Sequence, residues 1–274
     1  MKTLRYEVTG RIARITLDRP ERGNAITLDM PRELTECVEQ ANLDPAVHVI
    51  ALAGEGKGFC GGYDLVEYAE TQPMNHDPSV PWDPVIDYQF MSRNVRGFMS
   101  LFHSDKPVVC KVQGFCVAGG TDMALCSDLL VIAEDARIGY SPARVWGVPT
   151  TALWAHRIGD QRAKRLLFTG DLISGAQALE WGLATEAPPA AELDERFEAL
   201  LERIAHLPAN QLVMMKLLVN QALYAQGLQA TQVLGTIFDG IARHTPEGYA
   251  FQARAAEAGF KQAVAERDAP FDGS

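Results

Sequence analysis

Two glycine-bearing turns hold the residue types best suited to chemistry in this 274-residue chain. The first is GKGFCGGYDL, Gly56 to Leu65, and the second is GFCVAGGTDMALCSD, Gly114 to Asp128. Each follows an apolar β-type run. Gly119 and Gly120 lead into a short apolar helix running from Thr121 towards Cys126. Glycines there allow a tight entry with backbone N–H groups pointing outwards, and the helix dipole adds partial positive charge at the same point. One N–H from each turn can hold the oxygen of a carbonyl that becomes an enolate. Glycine-rich strand–helix turns also serve tight packing alone. A dinucleotide site fits worse, because no GxGxxG opens the first helix and Gly114 to Gly119 has the wrong spacing. Asp122, just inside the second turn's helix, is an acid that the dipole favours whether or not it moves a proton.

The elements that must position these turns follow from hydrophobic periodicity. Arg11 to Leu17 reads as a half-buried strand with Ala13, Ile15 and Leu17 on one face. His48 to Gly56, Pro107 to Gly114, Asp128 to Asp135 and Ala136 to Tyr140 are further strand candidates. Between them, Thr27 to Asn42 reads as a helix with an early Pro31 and apolar Leu34, Cys37, Val38 and Ala41. Strand–helix alternation up to about residue 187 predicts an α/β core. From Ala190 the strand signals stop, and Glu192 to His206, Pro208 to Gln226, Leu228 to Arg243 and Pro246 to Arg267 read as helices. Val213, Met214, Met215, Leu217 and Leu218 crowd one of them, so the tail packs on another subunit or folds back on its own core. Thr71 to Pro84, with four prolines and no periodicity, reads as a long surface loop or lid.

Composition narrows the function classes. Hydrophobic residues at 47% and charged residues at 22% fit a soluble globular protein. The apolar runs are too short for a bilayer, and the N-terminus has no secretory pattern. Five cysteines (Cys37, Cys60, Cys110, Cys116, Cys126) in apolar surroundings, without metal or disulfide spacing, point to a reducing, cytoplasmic setting. A net charge of −10 argues against nucleic acid, and any polyanionic ligand needs locally placed positive charge.

The second turn, with SDLLVIAEDARIGYSP after it and TGDLISGAQALEWGLATE (Thr169 to Glu186) beyond, resembles the crotonase superfamily, the enoyl-CoA hydratase/isomerase group. LDRPERGNAIT (Leu17 to Thr27), KGFCGGYDL and HTPEG (His244 to Gly248) resemble that family's opening turn, first oxyanion turn and start of the last helix. The resemblance implies an α/β fold with a ββα spiral core over residues 1–205 and a helical oligomerisation region over residues 206–274. It implies a homotrimer or a dimer of trimers, and a nominal lyase activity of fatty-acid metabolism that hydrates a 2-enoyl-CoA. The ligand is then an acyl-CoA thioester, with coenzyme A part of the substrate and no separate cofactor, metal, nucleic acid or membrane partner.

By matched position, the N–H groups of Tyr63 and Gly119 form the oxyanion hole, and Asp122 stands where hydratases carry their first glutamate. Asp is one methylene shorter. The second glutamate falls in YSPARVWG (Tyr140 to Gly147), where Ala143 replaces it and no register from Ala136 to Ile158 offers a carboxylate. Tyr140, Ser141, Arg144 and His156 are nearby polar substitutes, with Tyr140 and Arg144 the auxiliary candidates. Arg22 and Lys57, beside Arg19, would meet coenzyme A together with Gly61, Gly62, Asp64, Leu65 and Gly120. Without the second carboxylate, two rivals to hydration stay open. One is another acyl-CoA reaction in the same fold (isomerisation, thioester hydrolysis, decarboxylation or racemisation), and the other is a non-catalytic acyl-CoA binding protein.

Overall fold

The computed structural model describes residues 1–70 and 81–271. Strand β1 (Leu4–Thr9) pairs antiparallel with β2 (Ile12–Leu17), with Leu4 opposite Leu17. From there β2, β3 (Val49–Gly54), β4 (Val108–Val112) and β6 (Leu129–Ile132) run parallel, giving the sheet order β1-β2-β3-β4-β6. Parallel neighbours need long crossovers, and α1 (Met30–Leu43) and α2 (Pro84–His103) supply two of them. β3 is buried along nearly its whole length, as expected of a strand covered on both faces. A second sheet pairs β5 (Phe115–Val117) parallel with β7 (Arg137–Gly139), and β7 antiparallel with β8 (Leu172–Ser174). The six-residue α3 (Gly119–Ala124) lies between β5 and β6.

Helix α1 buries Leu34, Cys37, Val38 and Ala41, the stripe its spacing predicts. It begins at Met30 rather than Thr27, whose hydroxyl accepts from the Met30 N–H at 3.2 Å. The sequence reading passed over α2 altogether. Asp83 caps it by accepting from the N–H groups of Val85 and Ile86, and Phe98, Leu101 and Phe102 lie fully inside the core. Each such side chain contributes about 2 kcal/mol of transfer free energy. Gly97 lets α1 and α2 touch, since a Cβ there would stand 2.8 Å from the Pro31 Cα. Of the proline-rich stretch read as a lid, 71–80 lie outside the described residues.

After α4 (Trp154–Thr169) and α5 (Gly175–Glu180) the chain is helical: α6 (Leu193–Ala205), α7 (Ala209–Ala225), α8 (Leu228–Arg243), α9 (Pro246–Ala258) and α10 (Phe260–Asp268). The single helix expected over Pro246 to Arg267 is two, broken at Gly259, whose φ of 84° leaves the helical region. α7 is tied to the core by polar groups. Buried Lys216 donates to the carbonyls of Leu101 and Lys106 (2.9 and 3.0 Å) and pairs with Asp128 at 2.8 Å, while Asn220 donates to the Phe102 carbonyl. The bonds to Leu101 and Phe102 satisfy carbonyls in the last turn of α2, where no further turn follows. Met214, Met215, Leu217, Leu218 and Val219 are left exposed on α7. Among the described residues no helix is long and apolar enough to cross a membrane.

Candidate active site

The first turn is stitched down by Asn24, which sits fully buried at a φ of 53°. Its Nδ2 donates to the carbonyls of Glu55, Gly58 and Phe59 at 2.9–3.0 Å, and its Oδ1 accepts from the Arg19 N–H. One side chain thus fixes the loop after β2 to the loop after β3. The second turn stores strain at Ala118, a residue with a Cβ held at φ 53°, ψ −130°. Such a conformation costs about 1–3 kcal/mol and persists only where the surroundings hold it. Here the Ala118 N–H donates to the Gly139 carbonyl, and its own carbonyl accepts from both the N–H and the hydroxyl of Thr121.

The two turns abut. A Cβ on Gly62 would meet the Ala118 Cβ at 2.8 Å and the Gly119 nitrogen at 3.6 Å, and one on Gly120 would meet the Cys60 carbonyl oxygen at 2.6 Å. Among the described residues neither the Tyr63 nor the Gly119 N–H donates a hydrogen bond. Both residues line a cavity of about 230 Å³. Gly61, Leu65 and Ala118 complete its floor, Tyr140, Ser141, Pro142 and Trp146 form one wall, and Asp239, Arg243, Phe251, Val264 and Arg267 close it from α8 to α10. The C-terminal helices therefore wall the site as well as presenting an outer face.

The sequence profile of the enoyl-CoA hydratase/isomerase family matches residues 7–251. The chain belongs to that family. Its α/β fold is the crotonase-like one, and an enoyl-CoA hydratase crystal structure from Mycobacterium smegmatis superposes with a TM-score of 0.95 at 62% identity, covering 98% of this chain and 94% of that one. Among characterised relatives, the hydroxycinnamoyl-CoA hydratase-lyase of Pseudomonas fluorescens is 31% identical, covering 71% of this chain and 69% of its own. The 1,2-epoxyphenylacetyl-CoA isomerase of Escherichia coli is 29% identical over 81% of this chain and 83% of its own.

In this family member Asp122 is buried, with Oδ1 accepting from the N–H and the hydroxyl of Thr151 and Oδ2 without a partner among the described residues. Burial pushes its carboxyl up to about 7 against the pull of the Thr151 hydrogen bonds, with Asp239 adding to the rise. Asp122 does not itself line the cavity, whereas Tyr63 and Tyr140 do. Burial raises both phenols far above their ordinary range, and the charge on Asp122 raises them further. The Tyr63 ring lies over Gly119, 2.6 Å from where a Cβ would stand, so it fills space at the mouth of the oxyanion turn.

The other sequence candidates divide. Gly61 and Leu65 line the cavity, while Gly62 and Gly120 serve the close approach of the turns. Arg144 faces away, paired with Asp268 at 3.1 Å and Asp171 at 3.7 Å and lying over the Phe271 ring. Asp64 is buried under Arg19, which donates to its Oδ2 through both terminal nitrogens at 3.1 Å, and Arg22 stands 3.9 Å from Asp64 Oδ1. Arg19 is thereby committed to the turn, leaving half-exposed Arg22 and exposed Lys57 at its rim. His156 lines a separate cleft with Asp128. Ala143 packs on the core, and its segment, a 3-10 turn over Ser141–Arg144, carries no carboxylate.

Sequence reasoning missed a buried ion triad. Arg243 donates to Asp239 one turn back on α8 and, at 2.6 Å, to Asp87 Oδ1 on α2. Asp239 Oδ1 also accepts from the Val148 N–H at 3.1 Å. All three side chains are buried, and Asp239 and Arg243 face the cavity. Burial drives the Asp239 carboxyl up; it works against Arg243 too, but the two carboxylates outweigh it and hold the guanidinium charged. The available signal was an Asp and an Arg four apart on an otherwise apolar helix. Among the described residues no group of three or more His, Cys, Asp or Glu is placed to hold a metal ion.

Proposed function

We propose that this family member binds an acyl-CoA thioester with its carbonyl oxygen between the Tyr63 and Gly119 N–H groups, and stabilises the thioester enolate there. The observation that carries the reading is the pair of undonated N–H groups, from two abutting turns, at the floor of one cavity. Pre-aimed donors in a water-poor site stabilise developing oxyanion charge without reorganising. Asp122, held in mid-titration by burial, is the group we assign to proton transfer, acting through the Tyr63 and Tyr140 side of the cavity. The nominal reaction is addition of water to a 2-enoyl-CoA. With Ala143 in place of a second carboxylate, crotonyl-CoA is hydrated slowly, and α-proton chemistry such as isomerisation is the second reading.

Coenzyme A would run past Arg22 and Lys57. The exposed apolar face of α7 supports a homotrimer or a dimer of trimers. Incubation of saturated acyl-CoA esters in deuterated water tests the central claim. Exchange at the α-carbon is expected, with loss in Asp122→Ala. Tight binding without exchange would leave only a binding protein, and fast crotonyl-CoA hydration indifferent to Asp122→Ala would remove that residue's role.

A further inference from the structure

The acyl end of the cavity combines three properties that together select a ligand. It is small: a cavity of about 150 Å³ takes one benzene ring, and one of about 230 Å³ has room for a ring with a short link to the thioester. It is aromatic, with Tyr63, Tyr68, Tyr140, Trp146 and Phe251 on its walls. And it presents the carboxyl group of Asp239, which shares the guanidinium of Arg243 with Asp87.

The unfilled acceptor positions of Asp239 fix the polarity of whatever sits beside it. A carboxylate has about four acceptor positions. The Val148 N–H and Arg243 occupy two of those on Asp239. Arg243 Nε is buried without an acceptor among the described residues. Arg267, another cation of the cavity, shares Asp268 with Arg144. Gly147 keeps the approach open, for a Cβ there would lie 3.2 Å from the Tyr140 hydroxyl and 3.6 Å from Asp239 Oδ1. An acyl carboxylate has no proton to donate to Asp239. A hydrocarbon would leave its open acceptor positions and Arg243 Nε unpaired. A hydroxyl donates to Asp239 and still offers lone pairs to the donors around it.

We infer that Asp239, held by Arg243, is the specificity residue for a compact, ring-bearing acyl group that carries a hydroxyl. The inference rests on the acyl-CoA reading above and names its substrate class.

The test measures binding to the purified full chain by calorimetry, using 3-phenylpropanoyl-CoA, its ring-hydroxylated analogues, the analogue with a ring carboxylate, and octanoyl-CoA. At least one hydroxylated ester should bind ten-fold or more tighter than the unsubstituted one, and octanoyl-CoA and the carboxylated ester should bind more weakly than it. Asp239→Asn leaves Arg243 in a one-to-one pair with Asp87, so the fold should hold, as its melting temperature will report. In that variant the hydroxyl preference should collapse to within about three-fold. Asp87→Asn, which alters the triad from behind and leaves Asp239 paired, should keep the preference. Equal binding of all the aryl esters to the wild type, or equal loss of preference in both variants, overturns the inference while leaving the thioester reading intact. Failure of every CoA ester to bind overturns the thioester reading itself and this inference with it.

Discussion

Both hydrogen-bond donors of Thr151 converge on a single oxygen of Asp122, at 3.0 and 2.8 Å, and the other oxygen is buried without a partner among the described residues. Hydrogen bonds to the ionised form favour it, so Thr151 holds down a carboxyl that burial lifts to about 7. Thr151→Val removes the hydroxyl and should move the alkaline-rising limb of the α-exchange rate to higher pH. A pH profile of deuterium incorporation reads this directly, and an unmoved midpoint would show that another group limits the proton transfer.

The same shift has a stability sign. Asp122 binds its proton more tightly in the fold than in the unfolded chain, so stability falls as pH rises between about 4 and 7. Asp122→Asn escapes that loss. Urea unfolding should show the variant gaining on the wild type from pH 4 to pH 8, by up to about 4 kcal/mol. A gap that is constant across this window would contradict the raised carboxyl.

Gly119→Ala would place a Cβ 2.6 Å from Tyr63 Cε2 and 3.0 Å from Ile26 Cδ1. The Tyr63 ring must shift, and its neighbouring N–H with it. Overpacking of this kind costs about 1–3 kcal/mol, whereas a displaced oxyanion donor costs about 10²-fold or more in rate. We therefore expect a folded protein with strongly reduced exchange, checked by circular dichroism beside the kinetic assay.

Asn24→Ala strips three carbonyls of one donor and leaves a residue with a Cβ at φ 53°. Each buried carbonyl left bare costs about 1 kcal/mol or more, so a loss of about 3 kcal/mol is expected from denaturant titration. If the loss is under about 1 kcal/mol, the backbone alone holds the two loops together.

Leu217 and Leu218 on α7 are 60% and 69% exposed in the single chain. Replacing both with glutamate should lower the mass measured by light scattering to that of one chain without unfolding it. An unchanged assembly would place subunit contacts elsewhere.

What the sequence revealed was what is local. LDRPERGNAIT and the two glycine turns were readable because backbone N–H aim, positive φ and helix entry are decided within a few residues of each glycine. Leu228 to Arg243 was read as a helix with the bounds of α8, because its apolar spacing suffices. The Asp239–Arg243–Asp87 triad was not readable, since Asp87 and Arg243 are 156 residues apart in the chain and only folding joins them. α2 escaped because its polar Ser92, Arg93, Asn94 and Arg96 interrupt the apolar stripe, although Ser92 and Asn94 are buried. The partners of Arg144 were not readable, because Asp171 and Asp268 lie far along the chain.

Helix α8 presents Leu234, Phe238 and Ile241 to the outside while its other side lends Asp239 and Arg243 to the cavity. Any change in the tilt of this shared helix would link the two surfaces thermodynamically. A neighbour seated on Phe238 and Ile241 would set the tilt at which Asp239 meets the acyl group, and the acyl group would in turn favour that seating by the same factor. Dilution of the protein would then weaken its hold on ligand before any chain unfolds.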